Sequence, residues 1–146
     1  GIDDMAVRFS KCCNPVPGDE IVGFVTRGRG MSIHRTDCVN VINLSAAERS
    51  RLITAEWEDP GDTEEGGQYL AELKLYADDR RGLLLDITKV FTEEKIDVKS
   101  MNTRTSKKGT ATMDMGFIVH GREELNRVIK KLRQIENVID IERTTG

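Results

Sequence analysis

Four side chains of a kind that can hold a cation stand within a short stretch of the sequence: Cys12, Cys13, His34 and Cys38. They comprise all three cysteines of the chain and one of its two histidines. His34 and Cys38 are spaced i, i+4, so at a helix start they share one face. Cys38, read in the first turn after a Thr36 cap, would have its thiol pKa lowered by the helix N-terminus, favouring the thiolate that a metal requires. Cys12 and Cys13 are adjacent, and neighbouring strand residues face opposite ways, so both can ligate only if the chain turns beside them. Asn14-Pro15-Val16-Pro17-Gly18 offers that turn. Two readings stand: a Zn site formed by Cys12, Cys13, His34 and Cys38, or a buried set of small thiols with a satisfied histidine. Nucleophilic catalysis is the weaker third, since neither a Gly-rich nucleophile turn nor an orienting carboxylate stands beside the thiols.

Next to this cluster run Thr26-Arg27-Gly28-Arg29-Gly30 and then Arg35, three positive charges between Ile21 and Thr36 with no acid among them. Such a loop either meets phosphate or forms a solvated hairpin tip.

The elements that must position these residues follow from pattern. Strand-like stretches run from Ala6 to Ser10, Ile21 to Arg27, Met31 to Ile33 and Leu52 to Trp57, with a short helix from about Thr36 to Leu44. The segment EWEDPGDTEE, residues 56–65, holds six acids and no base and continues into Gly66-Gly67-Gln68, which reads as a solvated linker. Beyond it Tyr69, Ala71, Leu73 and Leu75 alternate with mostly polar neighbours, as in a half-buried strand. Leu83, Ile87, Val90 and Phe91 mark an amphipathic helix. Residues 96–105 and 110–119 read as a hairpin around Ser106-Lys107-Lys108-Gly109. Leu125, Val128, Ile129 and Leu132 mark a second helix, and residues 138–142 a last strand. The fold class is α+β: a small cysteine-containing α+β domain over residues 1–58, an acidic Gly-rich linker over 59–68, and a βαββαβ ferredoxin-like domain over 69–146. Its uncovered sheet face, with Leu70 and Ile118 in the outward register, suggests a homodimer contact.

At 146 residues the chain has room for one ordinary domain or two small ones. Hydrophobic content of 38%, charged content of 32% and a net charge of −3 describe a globular protein without the global basic excess of a dedicated nucleic-acid binder, so any RNA contact must be a local patch. No apolar run is long enough to cross a bilayer and Gly1-Ile2-Asp3-Asp4 does not resemble a signal peptide, so no membrane association and a cytoplasmic location are expected.

The segment KCCNPVPGDEIVGFVTRGRGMSIHRTDC resembles one found near the C-terminus of long Rel/SpoT-type (p)ppGpp synthetase/hydrolases. In that family a zinc-finger or ribosome-intersubunit domain precedes an ACT domain, and βαββαβ is the ACT order. The resemblance implies that Cys12, Cys13, His34 and Cys38 occupy the family's cysteine/histidine positions. It implies that this fragment catalyses nothing itself and regulates GTP pyrophosphokinase and hydrolase domains that it lacks, by sensing a stalled ribosome and uncharged tRNA. Arg27, Arg29 and Arg35 are then the expected phosphate contacts, with Lys11 and Arg8 beside them. As ACT domains often bind an amino acid where the loop after the first strand meets a dimer partner, Asp79, Arg80, Arg81, Gly82 and Leu83, with Asp97, are candidate ligand contacts, a branched-chain amino acid being the expected ligand. Gly82 would let the backbone approach closely, and free N–H groups at the helix start could hold a carboxylate.

Overall fold

A computed structural model describes residues 6–28, 30–58 and 67–144; Arg29 and most of the acidic stretch, residues 59–66, lie outside the described residues. The first part consists of β1 (Ala6–Phe9), β2 (Ile21–Val25), β3 (Gly30–Arg35), the short helices α1 (Val39–Ile42) and α2 (Ala46–Arg49), and β4 (Leu52–Thr54). Its sheet has the order β1-β3-β2-β4, with β1 parallel to β3 and the other pairs antiparallel.

Strand β2 stops two residues earlier than the sequence pattern suggests because Thr26 turns the chain. Its backbone N–H and hydroxyl both donate to Gly30 O, at 2.8 and 2.9 Å. The expected helix from Thr36 to Leu44 contracts to Val39–Ile42, and a second four-residue helix follows it. That second helix is fixed by a capping box: Ser45 Oγ accepts from Glu48 N–H while the Glu48 carboxylate accepts from Ser45 N–H. The Arg49 guanidinium then donates to Ile42 O at 2.9 Å, satisfying a carbonyl that the end of α1 leaves open.

The second part follows the expected order: β5 (Tyr69–Asp78), α3 (Leu83–Glu93), β6 (Val98–Thr105), β7 (Thr110–Val119), α4 (Arg122–Arg133) and β8 (Val138–Arg143). All neighbours in its sheet are antiparallel, in the order β6-β7-β5-β8. Alternation sends Ala71, Leu73, Leu75 and Ala77 of β5 and Ala111, Met113, Met115, Phe117 and Val119 of β7 inward. They meet Leu83, Ile87, Val90 and Phe91 of α3 and Leu125, Val128 and Leu132 of α4. Phe91 and Phe117 touch at 4.9 Å between ring centroids and are almost fully buried. Burial of each such ring stabilises the fold by about 1.5–3 kcal/mol.

The two sheets are not independent beads on a string. Val16, from the loop between β1 and β2, is fully buried among the core residues of the second sheet. Around it Asn14 Nδ2 donates to Glu72 on β5, and Arg122 N–H at the start of α4 donates to Pro17 O. Gly18 has φ +101°, and a Cβ there would lie 2.8 Å from Arg122 Cβ, so both the backbone conformation and the close approach require glycine. Among the described residues, no helix is long and apolar enough to cross a membrane.

Candidate functional site

The thiol cluster is assembled by three local features. After β1 the chain turns, with Asn14 N–H donating to Ser10 O at 3.0 Å and Asn14 at φ +49°, and this turn aims both Cys12 and Cys13 at one point. Strand β3 supplies His34, and Cys38 is the residue that caps α1. Cys12 Sγ lies 3.4 Å from Cys38 Sγ and 3.5 Å from His34 Nδ1, and Cys13 Sγ lies 3.9 Å from the same nitrogen. All four ligand atoms fall within 4.8 Å of one another, close enough to hold a metal ion.

These spacings match a definite geometry. Donors at bond lengths of about 2.3 Å for sulfur and 2.0 Å for nitrogen around a tetrahedral ion stand roughly 3.5–3.8 Å apart. Outer contacts are also in place: Ser32 Oγ is 3.1 Å from His34 Nε2, and Arg35 N–H donates to Cys13 Sγ at 3.3 Å. The first leaves Nδ1 facing the thiols, and the second places a positive dipole at a sulfur that becomes anionic on metal binding.

Burial pushes the Cys13 thiol up to about 12 and lowers the His34 pKa. Burial also acts to raise Cys12, but hydrogen bonds with Ser10, Asn40, Cys38 and Cys13 outweigh it and hold that thiol below its ordinary value. Cys38 departs from the sequence expectation. It occupies the N-cap of a four-residue helix rather than its first turn, and burial raises its pKa, outweighing the lowering by the Asn40 N–H at the helix start.

The basic residues separate into two groups. Arg8, Lys11 and Arg27 are exposed and engage in no hydrogen bond or ion pair among the described residues. The pairing of Ala6 with Gly30 lays β1, which carries Arg8, beside the β2–β3 hairpin whose tip carries Arg27. Arg35 corrects the expectation of a phosphate contact, because it is only 4% exposed. Its Nε and NH2 grip both oxygens of Asp37 at 2.8 and 2.7 Å, and NH1 donates to Cys13 O and Thr144 O, each at 3.1 Å. Every donor-bearing nitrogen is engaged, and the side chain links the thiol cluster to the end of β8.

In the second domain, Gly82 takes φ +82° as the N-cap of α3, the left-handed conformation that the turn requires. Arg80 is tied internally, donating to Asp86 Oδ2 at 2.7 Å and to Glu136 O at 3.2 Å. Asp79 N–H is bonded to Gly109 O and Leu83 is buried, whereas Arg81 is exposed. Asp97 is not brought to this loop within one chain. Its carbonyl accepts from Ile118 N–H, near one end of β7, while Asp79 lies beside Gly109, just before the other end.

Sequence reasoning missed the polar clasp between the domains and an aromatic group at the edge of the first sheet. Arg143 donates to both oxygens of Asp19, at 2.7 and 3.0 Å, and to Asn14 O at 3.2 Å. Phe9 stacks on Trp57, and both meet Tyr69 edge-on. Scarcity was the available signal for the second group, since aromatic residues make up only 5% of the chain and Phe9 stands between Arg8 and Lys11.

Comparison with known proteins accords with this arrangement. Residues 1–58 match the RelA/SpoT RIS domain and residues 65–143 match the ACT domain. The chain is 39% identical to the GTP pyrophosphokinase of Haemophilus influenzae over 98% of its own length and 19% of that protein. It is also 39% identical to the GTP pyrophosphokinase of Streptomyces coelicolor, over 100% of this chain and 17% of that one. It thus spans less than one fifth of these curated relatives. A crystal structure of the ACT domain from GTP pyrophosphokinase of Chlorobium tepidum is similar over 53% of this chain and 99% of that chain, at 23% identity and TM-score 0.48. With a cysteine-bearing α+β unit that matches the RIS domain joined to a βαββαβ unit that matches the ACT domain, the chain belongs to the RelA/SpoT family as its RIS–ACT region.

Proposed function

We propose that this chain is a non-catalytic regulatory region of a (p)ppGpp synthetase/hydrolase, which senses a stalled ribosome carrying uncharged tRNA and reports it to catalytic domains of a longer protein. The observation that carries this reading is the division among the basic residues. Arg8, Lys11 and Arg27 are presented to solvent along one edge, while Arg35 is withdrawn into the joint between the domains. An exposed cationic edge suits a phosphate backbone, and the one acid that feels it, Glu48, lies near Arg27 without a direct ion pair to it. Arg29 belongs to the same proposal by sequence position. The clasp behind that edge supports transmission, because movement of the RIS unit must pull on β8 through Arg143 and Arg35.

The cysteine and histidine cluster is proposed to hold Zn, for which thiolate and imidazole donors in tetrahedral array are the usual set. There the ion would be structural, tying together β1, β3 and α1 of a domain too small to bury much apolar surface of its own. Ribosome binding by the purified chain, measured against salt, tests the main reading. Binding that is insensitive to charge reversal along the basic edge would count decisively against it.

A second reading rests on a separate observation. Leu84 and Leu85, in the first turn of α3 beside the Gly82 loop, are 49% and 71% exposed. Such side chains favour burial against a second copy or an apolar ligand. A branched-chain amino acid bound by Asp79, Arg80, Arg81, Gly82 and Leu83, with Asp97 of the partner subunit completing the site across a homodimer, fits that surface. Calorimetric titration with leucine, valine and isoleucine, alongside sedimentation velocity, tests it. A flat response with a monomeric chain removes this option.

A further inference from the structure

Three aromatic rings meet beside β1, the outer strand of the first sheet. Phe9 and Trp57 stack at 5.4 Å with planes 15° apart, and Tyr69 meets them edge-on at 5.7 Å from each. Trp57 Nε1–H donates to Asp19 O at 2.9 Å, which holds the indole in place behind the phenyl ring. Phe9 is nevertheless 45% exposed despite both contacts. Aromatic rings ordinarily supply core burial, so a fixed group with one open ring at a strand edge presents a surface for something flat.

The space in front of that ring has a definite shape. A cavity of about 390 Å³ opens against Phe9, with Pro15, Tyr69 and Leu70 as further apolar walls, and Lys11 and the Gln68 amide are its uncommitted polar groups. Asn14 and Glu72 also line it but are bonded to each other at 3.0 Å, so the one acid present is already engaged. Lys11 lies inside the cavity and has no acidic partner among the described residues, whereas Arg8, next to Phe9 on β1, faces the other side of the strand. An apolar wall with an open ring, one amide able to donate and accept, and an unmatched cation are the chemistry of an unpaired nucleotide: stacking for the base, an edge contact, and charge for a phosphate.

We propose that the cavity between Phe9 and Tyr69 takes one unpaired RNA base, stacked on Phe9 with its edge toward Gln68, while Lys11 holds a flanking phosphate. This rests on the reading of the RIS unit as an RNA contact and sharpens it. The basic edge alone would bind any phosphate backbone, whereas this pocket requires a base that is free of its helix.

Trp57 is the single tryptophan of the chain and stacks on Phe9, so its fluorescence reports occupancy directly. A short single-stranded oligoribonucleotide of mixed sequence, titrated into the full chain, is expected to quench Trp57 saturably, and a fully paired RNA duplex is expected to bind with little quenching. Phe9→Leu, which keeps the apolar bulk but removes the ring, is expected to weaken single-strand binding about tenfold, as loss of one base stack does, and leave duplex binding unchanged. Phe9→Tyr should restore single-strand binding, and Lys11→Glu, outside the ring packing, gives an independent loss should Phe9→Leu fold poorly. If RNA binds but Trp57 is silent and both losses are absent, the pocket proposal fails while the RNA reading stands. If neither RNA form binds, both fail. Quenching by an aromatic-bearing peptide and not by RNA overturns the proposal in favour of a protein partner.

Discussion

Arg143 grips Asp19 with two nitrogens, at 2.7 and 3.0 Å, although the residues stand 124 positions apart, one on β8 and the other in the loop before β2. Both side chains are withdrawn from solvent, at 16% and 5% exposure. Asp19 Oδ2 also accepts from Val16 N–H, so the same carboxylate fixes the loop that inserts Val16 into the second core. The ion pair and the apolar insertion are therefore one structural unit. A shared, nearly dry pair depends on having both members, because removing one leaves the other buried without compensation.

Asp19→Ala is accordingly expected to destabilise the chain by about 3 kcal/mol or more. The informative readout is the number of transitions. Trp57 fluorescence reports the joint where Phe9 of the first sheet meets Tyr69 of the second, and far-UV circular dichroism is dominated by the larger second domain. In the native chain both should change together with denaturant; in Asp19→Ala the fluorescence midpoint should fall first. Coincident curves in the variant would show that the clasp does not couple the domains.

Arg35 provides a test that separates a structural arginine from a phosphate-binding one. Its planar fork meets Asp37, and its remaining nitrogen meets the carbonyls of Cys13 and Thr144. Lysine keeps the charge but cannot reproduce this array. Arg35→Lys should cost about 1–3 kcal/mol of stability by leaving buried acceptors unpaired. Ribosome binding at a temperature where the variant is folded should be unchanged. Normal stability with weakened ribosome binding would restore Arg35 to the RNA contact.

For the exposed edge, simultaneous reversal of Arg8, Lys11 and Arg27 to glutamate should weaken ribosome binding by more than tenfold. Three lost phosphate contacts should also reduce the slope of log affinity against log salt by about 2–3. Filter binding at several salt concentrations supplies both numbers. These residues pack against nothing that the fold requires, so melting of the variant should match that of the parent chain. An unaltered slope would mean that the edge does not touch phosphate.

Much of the second domain was legible in the sequence because its elements are long relative to their periods. Leu83, Ile87, Val90 and Phe91 recur at helical spacing, and β7 alternates for ten residues, so both declare their buried face directly. Helices α1 and α2 are four residues each, too short for a period to show, although the Ser45 and Glu48 capping pair was there to be read. The cluster residues were legible by type alone, and how Cys12 and Cys13 face one point became clear only with the turn closed by Ser10 and Asn14. Arg35 misled for a physical reason. The stretch before it holds no acid, its partner Asp37 follows it, and its last partner, Thr144, lies 109 residues away, where local pattern carries no information.

The cluster itself is best tested from outside its ligand set, since replacing a cysteine removes a donor and disturbs packing at once. Ser32 Oγ stands 3.1 Å from His34 Nε2, and the other ring nitrogen faces the thiols of Cys12 and Cys13. When the hydroxyl accepts from Nε2–H, the imidazole is held in the tautomer that offers the Nδ1 lone pair to an ion, with the ring plane already set. Ser32→Ala keeps all four donors and changes little volume, so folding should survive. Zinc affinity, measured by competition with a chromophoric chelator, should fall by about tenfold, the usual cost of losing an outer partner of a metal-bound histidine. Elemental analysis of the parent chain, purified without chelator, should give one zinc per chain. Zinc well below that ratio, with unchanged folding in a Cys12→Ala/Cys38→Ala double variant, would leave the cluster as a set of buried thiols and Ser32 as an ordinary strand residue.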